Sequence, residues 1–200
     1  DGIDVKNKDV FEIGCGAGNI LKAVRDKYNC RIFGADLSYN ALPRVMDNIN
    51  VFQSNAQDLP LKKSSFDLIY FVDLIEHLDD PEKFLIQLHG LSRQFLFYIP
   101  IESGLINDIV YRYRRLIGKP TNLETYGHIH RFKRRDIVRL LNRTGFRNIE
   151  HTVFPYNNFI KQNSFKGRLL DRSAWLCSKI SSRLAEKLFA GYSFVGFYRE

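Results

Sequence analysis

The chain has 200 residues, of which 44% are hydrophobic, and this content is enough to bury the core of a single α/β domain rather than two. It contains no run of about 18 apolar residues and no signal-peptide pattern, so the sequence predicts no membrane-spanning helix. Its three cysteines have no metal-ligand spacing and form no even disulfide set, so we expect a reducing, cytoplasmic setting and no metal.

Apolar runs alternate with segments of helical periodicity along the chain. The pattern predicts strands near 9–13, 31–35, 50–53, 66–71 and 94–99, and helices near 18–28, 38–48, 81–91 and 134–145. Two later apolar runs, 147–154 and 192–198, are predicted as the last strands. This alternation indicates a mostly parallel sheet with helices on both faces, a doubly wound α/β fold.

The turn after the first predicted strand is the most informative segment. The apolar run ending at Ile13 is followed by Gly14, Gly16 and Gly18, and Asp36 ends the next apolar run. Glycines let backbone approach a ligand closely, and an acidic side chain about 20 residues later can accept hydrogen bonds from both ribose hydroxyls. The combination predicts a nucleoside-cofactor pocket.

The glycine spacing also indicates which cofactor is bound. A dinucleotide fingerprint needs glycine at position 19, where this chain has Asn19, and no Gly-Lys-Ser/Thr follows as a P-loop requires. The remaining class is a cofactor with a ribose but without a phosphate.

These motifs resemble those of the class I S-adenosylmethionine-dependent methyltransferases, in particular the small-molecule, type 11-like branch. Glu12 and the glycines match the first motif of that family, an acidic residue followed by x-G-x-G-x-G. The resemblance implies S-adenosylmethionine as cofactor and a Rossmann-like seven-stranded sheet whose last strand is antiparallel. It also implies that the glycine turn packs on the methionyl part, that Glu12 orients the amino group, and that Asp36 holds the ribose.

A second resemblance lies in residues 54–60, which are similar to the family's adenine-binding loop. Relatives usually have Asp where this chain has Asn55, and Asn can either accept or donate a hydrogen bond. The cofactor-binding residues predicted from both motifs and from the ends of the strands are Glu12, Gly14, Cys15, Gly16, Ala17, Gly18, Asp36, Leu37, Asn55, Ala56, Gln57, Phe71 and Val72.

Three histidines are the candidate catalytic residues. Segments after the fourth and fifth strands should face the methyl acceptor, because ligands bind at the carboxyl ends of parallel strands. A general base is needed only if the acceptor keeps its proton at neutral pH, as a hydroxyl does. The candidates are His77, His128 and His130, although histidines more often serve as structural hydrogen-bonding groups.

Charge is distributed unevenly, which bears on the acceptor. Residues 101–200 carry 19 Lys and Arg against 8 Asp and Glu, whereas residues 1–100 carry 11 against 14. We expect one domain over 1–200, with a lid or acceptor insertion at about 101–132 and a basic helical insertion at about 156–190. The basic half is interpreted as a solvated face, as an attraction for an anionic or lipid-linked acceptor at a membrane surface, or as a nucleic-acid contact.

The sequence thus predicts a methyltransferase acting on a small-molecule or lipid-linked acceptor, at oxygen. RNA methylation ranks second, because Phe71 to Leu74 stand where base-amino methyltransferases carry an Asn/Asp-Pro-Pro-Tyr/Phe signature, and a non-catalytic methyltransferase-like scaffold is the third interpretation. The chain starts without Met a few residues before the first strand, where relatives carry a cofactor-covering helical segment. We therefore expect a truncated chain or an open site.

Overall fold

The computed structural model describes residues 3–40, 49–102, 104–155, 181 and 192–199. Seven strands form one sheet in the order β3-β2-β1-β4-β5-β7-β6. The strands are β1 Asp9–Ile13, β2 Arg31–Asp36, β3 Ile49–Gln53, β4 Leu68–Val72, β5 Gln94–Ile101, β6 Glu150–Pro155 and β7 Tyr192–Arg199. Neighbours among β1 to β5 pair in parallel, and β7 is antiparallel to both β5 and β6. The predicted Rossmann-like fold with an antiparallel last strand is confirmed.

The helices follow the predicted alternation in the first half of the chain. They are α1 Asn19–Tyr28, α2 Pro81–Leu88, α3 Leu105–Leu116, α4 Asn122–Tyr126 and α5 Arg134–Arg143, with a short 3₁₀ helix at Ile75–His77. The helix predicted at 38–48 lies mostly outside the described residues, as does the predicted basic insertion at 156–190 apart from Ser181. The sequence did not predict α3, α4 or the 3₁₀ helix.

Strand side chains alternate between two apolar layers, one on each face of the sheet. On β1 and β4, Phe11, Ile69 and Phe71 belong to a large cluster that includes buried residues of α2 and α5. Val10 and Leu68 belong to a smaller cluster that includes Leu21 of α1. Successive residues of a strand point to opposite faces, so both faces need apolar cover, and helices supply it.

The register of the parallel strands decides where a site can form. Ile13 at the end of β1 pairs with Ala35 of β2 and with Phe71 of β4. The segments that leave these three strands therefore begin side by side at one edge of the sheet, where ligands of such folds bind.

Helix α3 lies at the margin of the core, against which its partly buried Ile106 packs. None of its residues is buried, and its exposed apolar side chains are Leu105, Ile109, Val110, Tyr113 and Leu116. The guanidinium of Arg131 lies 4.3 Å from the Tyr111 ring centroid and donates to Asp108 Oδ1 at 2.9 Å, so polar contacts hold the helix to the following loop. In the described part of the chain, no helix is long and apolar enough to cross a membrane.

Gly34 of β2 tests how tightly the glycine turn packs on the sheet. A Cβ added there would lie 2.8 Å from Leu21 Cδ1 and 2.9 Å from Cys15 Sγ, both of which are buried. We expect Gly34→Ala to lower the free energy of unfolding by about 1–3 kcal/mol, because overpacked cores shift or strain. Urea denaturation measures this.

Cys15→Ala provides the matched background for that measurement. It removes Sγ, one of the two atoms nearest the added methyl group, so the cost of Gly34→Ala should be smaller in this background. An equal cost in both backgrounds would show that the turn does not pack on Gly34 as described.

Candidate cofactor and acceptor site

The turn between β1 and α1 has a backbone that requires glycine. Gly14, Gly16 and Gly18 all have positive φ, at 76°, 49° and 71°, a region that residues with a Cβ rarely adopt. The turn is fixed to β2 because Gly14 N and Cys15 N both donate to the Ala35 carbonyl, at 2.7 and 3.1 Å. The three glycines of the sequence motif therefore stand where the backbone of the turn requires them.

Asp36 lies directly beside this turn. Its Oδ2 accepts from Gly16 N at 2.8 Å, and its Oδ1 accepts from Ser38 N at 2.9 Å. Each carboxylate oxygen can accept two hydrogen bonds, so these contacts leave acceptor capacity for the hydroxyls of a sugar. The structure thus brings together the two features from which the cofactor site was predicted.

Glu12 lies at the base of the turn and is 2% exposed. Tyr70 donates its hydroxyl to Glu12 Oε2 at 3.0 Å. Burial raises the pKa of Glu12 to about 7, and the nearby charge of Asp36 adds to the increase, while the Tyr70 hydrogen bond opposes it. A cationic ligand group beside Glu12 would favour its ionised form.

The remaining predicted residues of the turn differ in exposure. Cys15 is buried, and burial raises the pKa of its thiol to about 12, so the side chain is a neutral packing group and not a nucleophile. Ala17 is exposed, and Leu37, just beyond Asp36, is 67% exposed. These two side chains are accessible to a ligand on the turn.

The predicted adenine loop is held against α2. Asn55 Oδ1 accepts from Gln57 N at 2.9 Å, a local turn that its amide side chain can form in place of a carboxylate. The Ala56 carbonyl accepts from Gln87 Nε2, and Gln57 Nε2 donates to the Asp80 carbonyl at 3.3 Å. Asn55 therefore shapes the loop through its carbonyl oxygen.

The end of β4 connects the glycine turn with the predicted acceptor side. The ring of Phe71 packs on Phe84 and Phe97 in the core. Any contact between Phe71 and a cofactor would therefore be made by its backbone. Val72 is half-buried. A Cβ added at Gly14 would lie 3.0 Å from Leu74 Cδ1, so the segment after β4 packs directly on the turn.

Two of the predicted histidines meet in one cluster. The rings of His77 and His128 are perpendicular, with centroids 4.7 Å apart. The Glu76 carbonyl accepts from Ile129 N at 2.8 Å and from His130 N at 3.0 Å, which holds the 127–130 segment against the 3₁₀ helix. Donor atoms of Glu76, His77 and His128 all lie within 4.8 Å of one another.

His130 has different contacts. Its Nε2 lies 2.9 Å from the Leu78 carbonyl, which can only accept, so this nitrogen donates. The ring also stacks on Phe132 with centroids 5.8 Å apart. The structure therefore gives His130 contacts that fix the loop, and its predicted catalytic role stays a prediction.

The cluster also contains carboxylates, none of which was among the candidate catalytic residues predicted from the sequence. Glu102 Oε2 lies 2.9 Å from His128 Nδ1, and Glu76 is fully buried. Burial raises the pKa of Glu76 to about 8, and it also raises the pKa of Asp73, against the effect of the two histidines. Asp73 and Glu76 directly follow the fourth predicted strand next to His77, a signal that was present in the sequence.

Comparison with known proteins matches residues 2–151 to the model of a family described as a methyltransferase domain. The O-methyltransferase rstn1 of Aspergillus nomiae is 24% identical over 162 residues, covering 74% of this chain and 68% of the relative. Phosphoethanolamine N-methyltransferase 2 of Caenorhabditis elegans is 21% identical over 92% of this chain, which spans 43% of that relative's length.

A solved structure shares the fold. Phosphoethanolamine N-methyltransferase 2 of Haemonchus contortus, in complex with S-adenosyl-L-methionine, superposes with a TM-score of 0.67 at 17% identity, over 99% of this chain and 50% of the other. The family model covers most of the sequence, including the glycine turn, Asp36 and the segment after β4. The chain therefore belongs to the methyltransferase domain family, the class I enzymes that use S-adenosylmethionine as cofactor.

Proposed function

We propose that the chain transfers the methyl group of S-adenosylmethionine to an oxygen of a small-molecule or lipid-linked acceptor. The observation that carries the proposal is the contact of Leu74 with the glycine turn. Leu74 connects the predicted cofactor residues on one side to the histidine and carboxylate cluster that begins two residues later on the other. A methyl group held on the turn would face that cluster.

Methyl transfer depends on the alignment of the reactants more than on covalent catalysis by the protein. The acceptor oxygen attacks the methyl carbon in line, and the carbon–sulfur bond breaks with its electron pair going to sulfur. Much of the rate enhancement of methyl transfer comes from holding the acceptor oxygen, the methyl carbon and the sulfur in line. The two reactants then no longer need to meet in this geometry by diffusion in solution. An acceptor hydroxyl must also lose its proton, and the cluster supplies groups that assist this loss.

The choice of oxygen comes from the site and not from the relatives. The names of the two relatives divide between an O- and an N-methyltransferase. A neutral amine can attack without a base, whereas a hydroxyl benefits from one. The convergence of His77, His128, Glu76 and Glu102 therefore favours a hydroxyl acceptor.

Helix α3 supports an acceptor with apolar and anionic parts. Its exposed apolar residues alternate with Arg112 and Arg115, and Arg131 lies beside it. Such a surface favours an apolar group and a negative charge together, as in a lipid-linked substrate. The same apolar and basic surface also supports the predicted contact with an anionic membrane, which is part of this proposal.

Replacing a histidine of the cluster tests the proposed role. We expect His128→Gln to lower kcat by about 100-fold or more while leaving the affinity for S-adenosylhomocysteine unchanged, because the side chain acts on the acceptor. The assay follows S-adenosylhomocysteine formation with phenol and catechol acceptors against the matching anilines. His151→Gln, an exposed histidine on β6, is the control. Methylation of the anilines alone would reject the oxygen assignment, and equal losses in both variants would reject the proposed role of His128.

Asp36 tests the cofactor half of the site. Asp36→Ala removes the carboxylate expected to bind the ribose, and two charge-assisted hydrogen bonds of about 1.5–3 kcal/mol each correspond to a loss of about 100-fold or more in affinity. Calorimetric titration with S-adenosylmethionine measures it. Asp67→Ala is a matched control, because Asp67 also accepts from a backbone N–H, that of Asp9, at the opposite end of β1. Unchanged affinity in Asp36→Ala would remove the ribose assignment.

The pKa of Glu12 predicts a pH dependence of cofactor binding. The ionised carboxylate attracts the ammonium group of the cofactor, and Glu12 ionises as the pH rises through about 7. We therefore expect the affinity to increase about fivefold between about pH 6 and about pH 7.

Two variants isolate this effect. Glu12→Gln should abolish the increase, whereas Tyr70→Phe should move it to higher pH, since the Tyr70 hydroxyl lowers the pKa of Glu12. Titrations over this range check both. An unchanged pH profile in Glu12→Gln would assign the dependence to another group.

A further inference from the structure

The cluster beyond β4 has features that a base alone does not explain. Glu76, His77 and His128 offer one donor atom each, and these atoms all lie within 4.8 Å of one another, which is close enough to consider one shared ion. They come from the 3₁₀ helix and from a loop about 50 residues later in the sequence. The fold, not sequence proximity, assembles them.

The Glu76 carboxylate is the first unexplained feature. The residue is 0% exposed, and within the described part of the chain neither carboxylate oxygen has a hydrogen-bond partner. Its backbone carbonyl is held by two N–H groups of the 127–130 segment, so the residue is fixed in place. A buried carboxylate without a partner is strongly unfavourable, and binding a cation is one of the ways in which proteins compensate.

The tautomer of His77 is the second feature. Its Nδ1 lies 3.1 Å from the Gly127 carbonyl, which can only accept, so Nδ1 carries the proton in the neutral ring. The lone pair then lies on Nε2. Histidines that bind metals are commonly oriented in this way, by donating the other ring N–H to a backbone carbonyl.

The pair formed by His128 and Glu102 is the third feature. His128 Nδ1 and Glu102 Oε2 are 2.9 Å apart, yet neither atom has a partner with hydrogen-bond geometry in the described residues. Glu102 therefore places a negative charge directly beside His128, which favours a cation at this cluster.

We infer that Glu76, His77 and His128 bind one divalent cation, with Glu102 and Asp73 as neighbouring negative charges. Imidazole and carboxylate ligands without a thiolate favour Mn²⁺, Co²⁺ or Zn²⁺ over Ca²⁺ and Cu⁺. This site departs from the expectation of no metal, which rested on cysteine spacing. Sequence spacing alone does not show that His128 reaches Glu76.

The role of the cation in methyl transfer rests on the proposed function. The binding of the cation to the cluster does not depend on that function. A cation beside the glycine turn would hold the acceptor hydroxyl and lower its pKa, as bound metals do for water. The hydroxyl proton then leaves to solvent, and the oxygen attacks the methyl carbon as the carbon–sulfur bond breaks. In this arrangement the two histidines are ligands and not bases.

Metal binding can be measured without turnover. The full chain, treated with EDTA and dialysed, is titrated with MnCl₂ while the electron paramagnetic resonance signal of free Mn²⁺ is followed. We expect one saturable site, a loss of affinity of at least about 10-fold in Glu76→Gln and in His128→Gln, and displacement of Mn²⁺ by Zn²⁺ but not by Ca²⁺. Glu82→Gln is the matched control, because it makes the same change at an acidic residue of α2 outside the cluster. It should bind Mn²⁺ with the affinity of the unmodified chain.

The outcomes separate this inference from the proposed function. No saturable Mn²⁺ or Zn²⁺ site in a chain that binds S-adenosylhomocysteine would overturn the metal site and leave the cofactor site standing. Equal Mn²⁺ affinity in Glu76→Gln and Glu82→Gln would also overturn it, and Glu76 would then be a buried protonated acid. Thermal unfolding shows whether each variant is folded, and His77→Gln replaces any variant that is not.

Discussion

The hydrogen bonds between the ends of β1 and β2 are the constraint on which the site depends. The Ala35 carbonyl accepts from Gly14 N and Cys15 N, and the next residue, Asp36, accepts from Gly16 N. These contacts close the turn onto the neighbouring strand, so the turn keeps its path without a ligand. A preformed path of this kind limits the ordering that cofactor binding has to cause.

The histidine and carboxylate cluster is assembled differently, from elements that are distant in sequence. The 3₁₀ helix at Ile75–His77 is the centre of this region. Its backbone holds the 127–130 segment, and its side chains lie near that of His128, which in turn contacts Glu102. Leu74 attaches that centre to the glycine turn. The glycine turn and the cluster are therefore in contact through Leu74.

Local patterns explain which features could be predicted from the sequence. The strands and the glycine turn depend on residues within about 20 positions of one another. Period-two alternation and glycine spacing therefore predict these elements directly. Asp36 was named for the same reason, whereas Glu12 came from the family resemblance and the histidines from their place after the fourth and fifth strands. The Glu76 environment and the Glu102 contact with His128 depend on packing between distant segments, which leaves no periodic signal. Helix α3 was not predicted, although its apolar residues at 105, 106, 109, 110, 113 and 116 recur at helical spacing.

The attachment of the 127–130 segment through backbone amides has an evolutionary consequence. Ile129 and His130 are held by their N–H groups, which every residue except proline provides, and the Ile129 side chain is 53% exposed. Mutations at Ile129 can therefore accumulate without detaching the segment from the 3₁₀ helix. Such a position lets an enzyme lineage diversify in what it recognises while the anchoring of its loop is inherited intact.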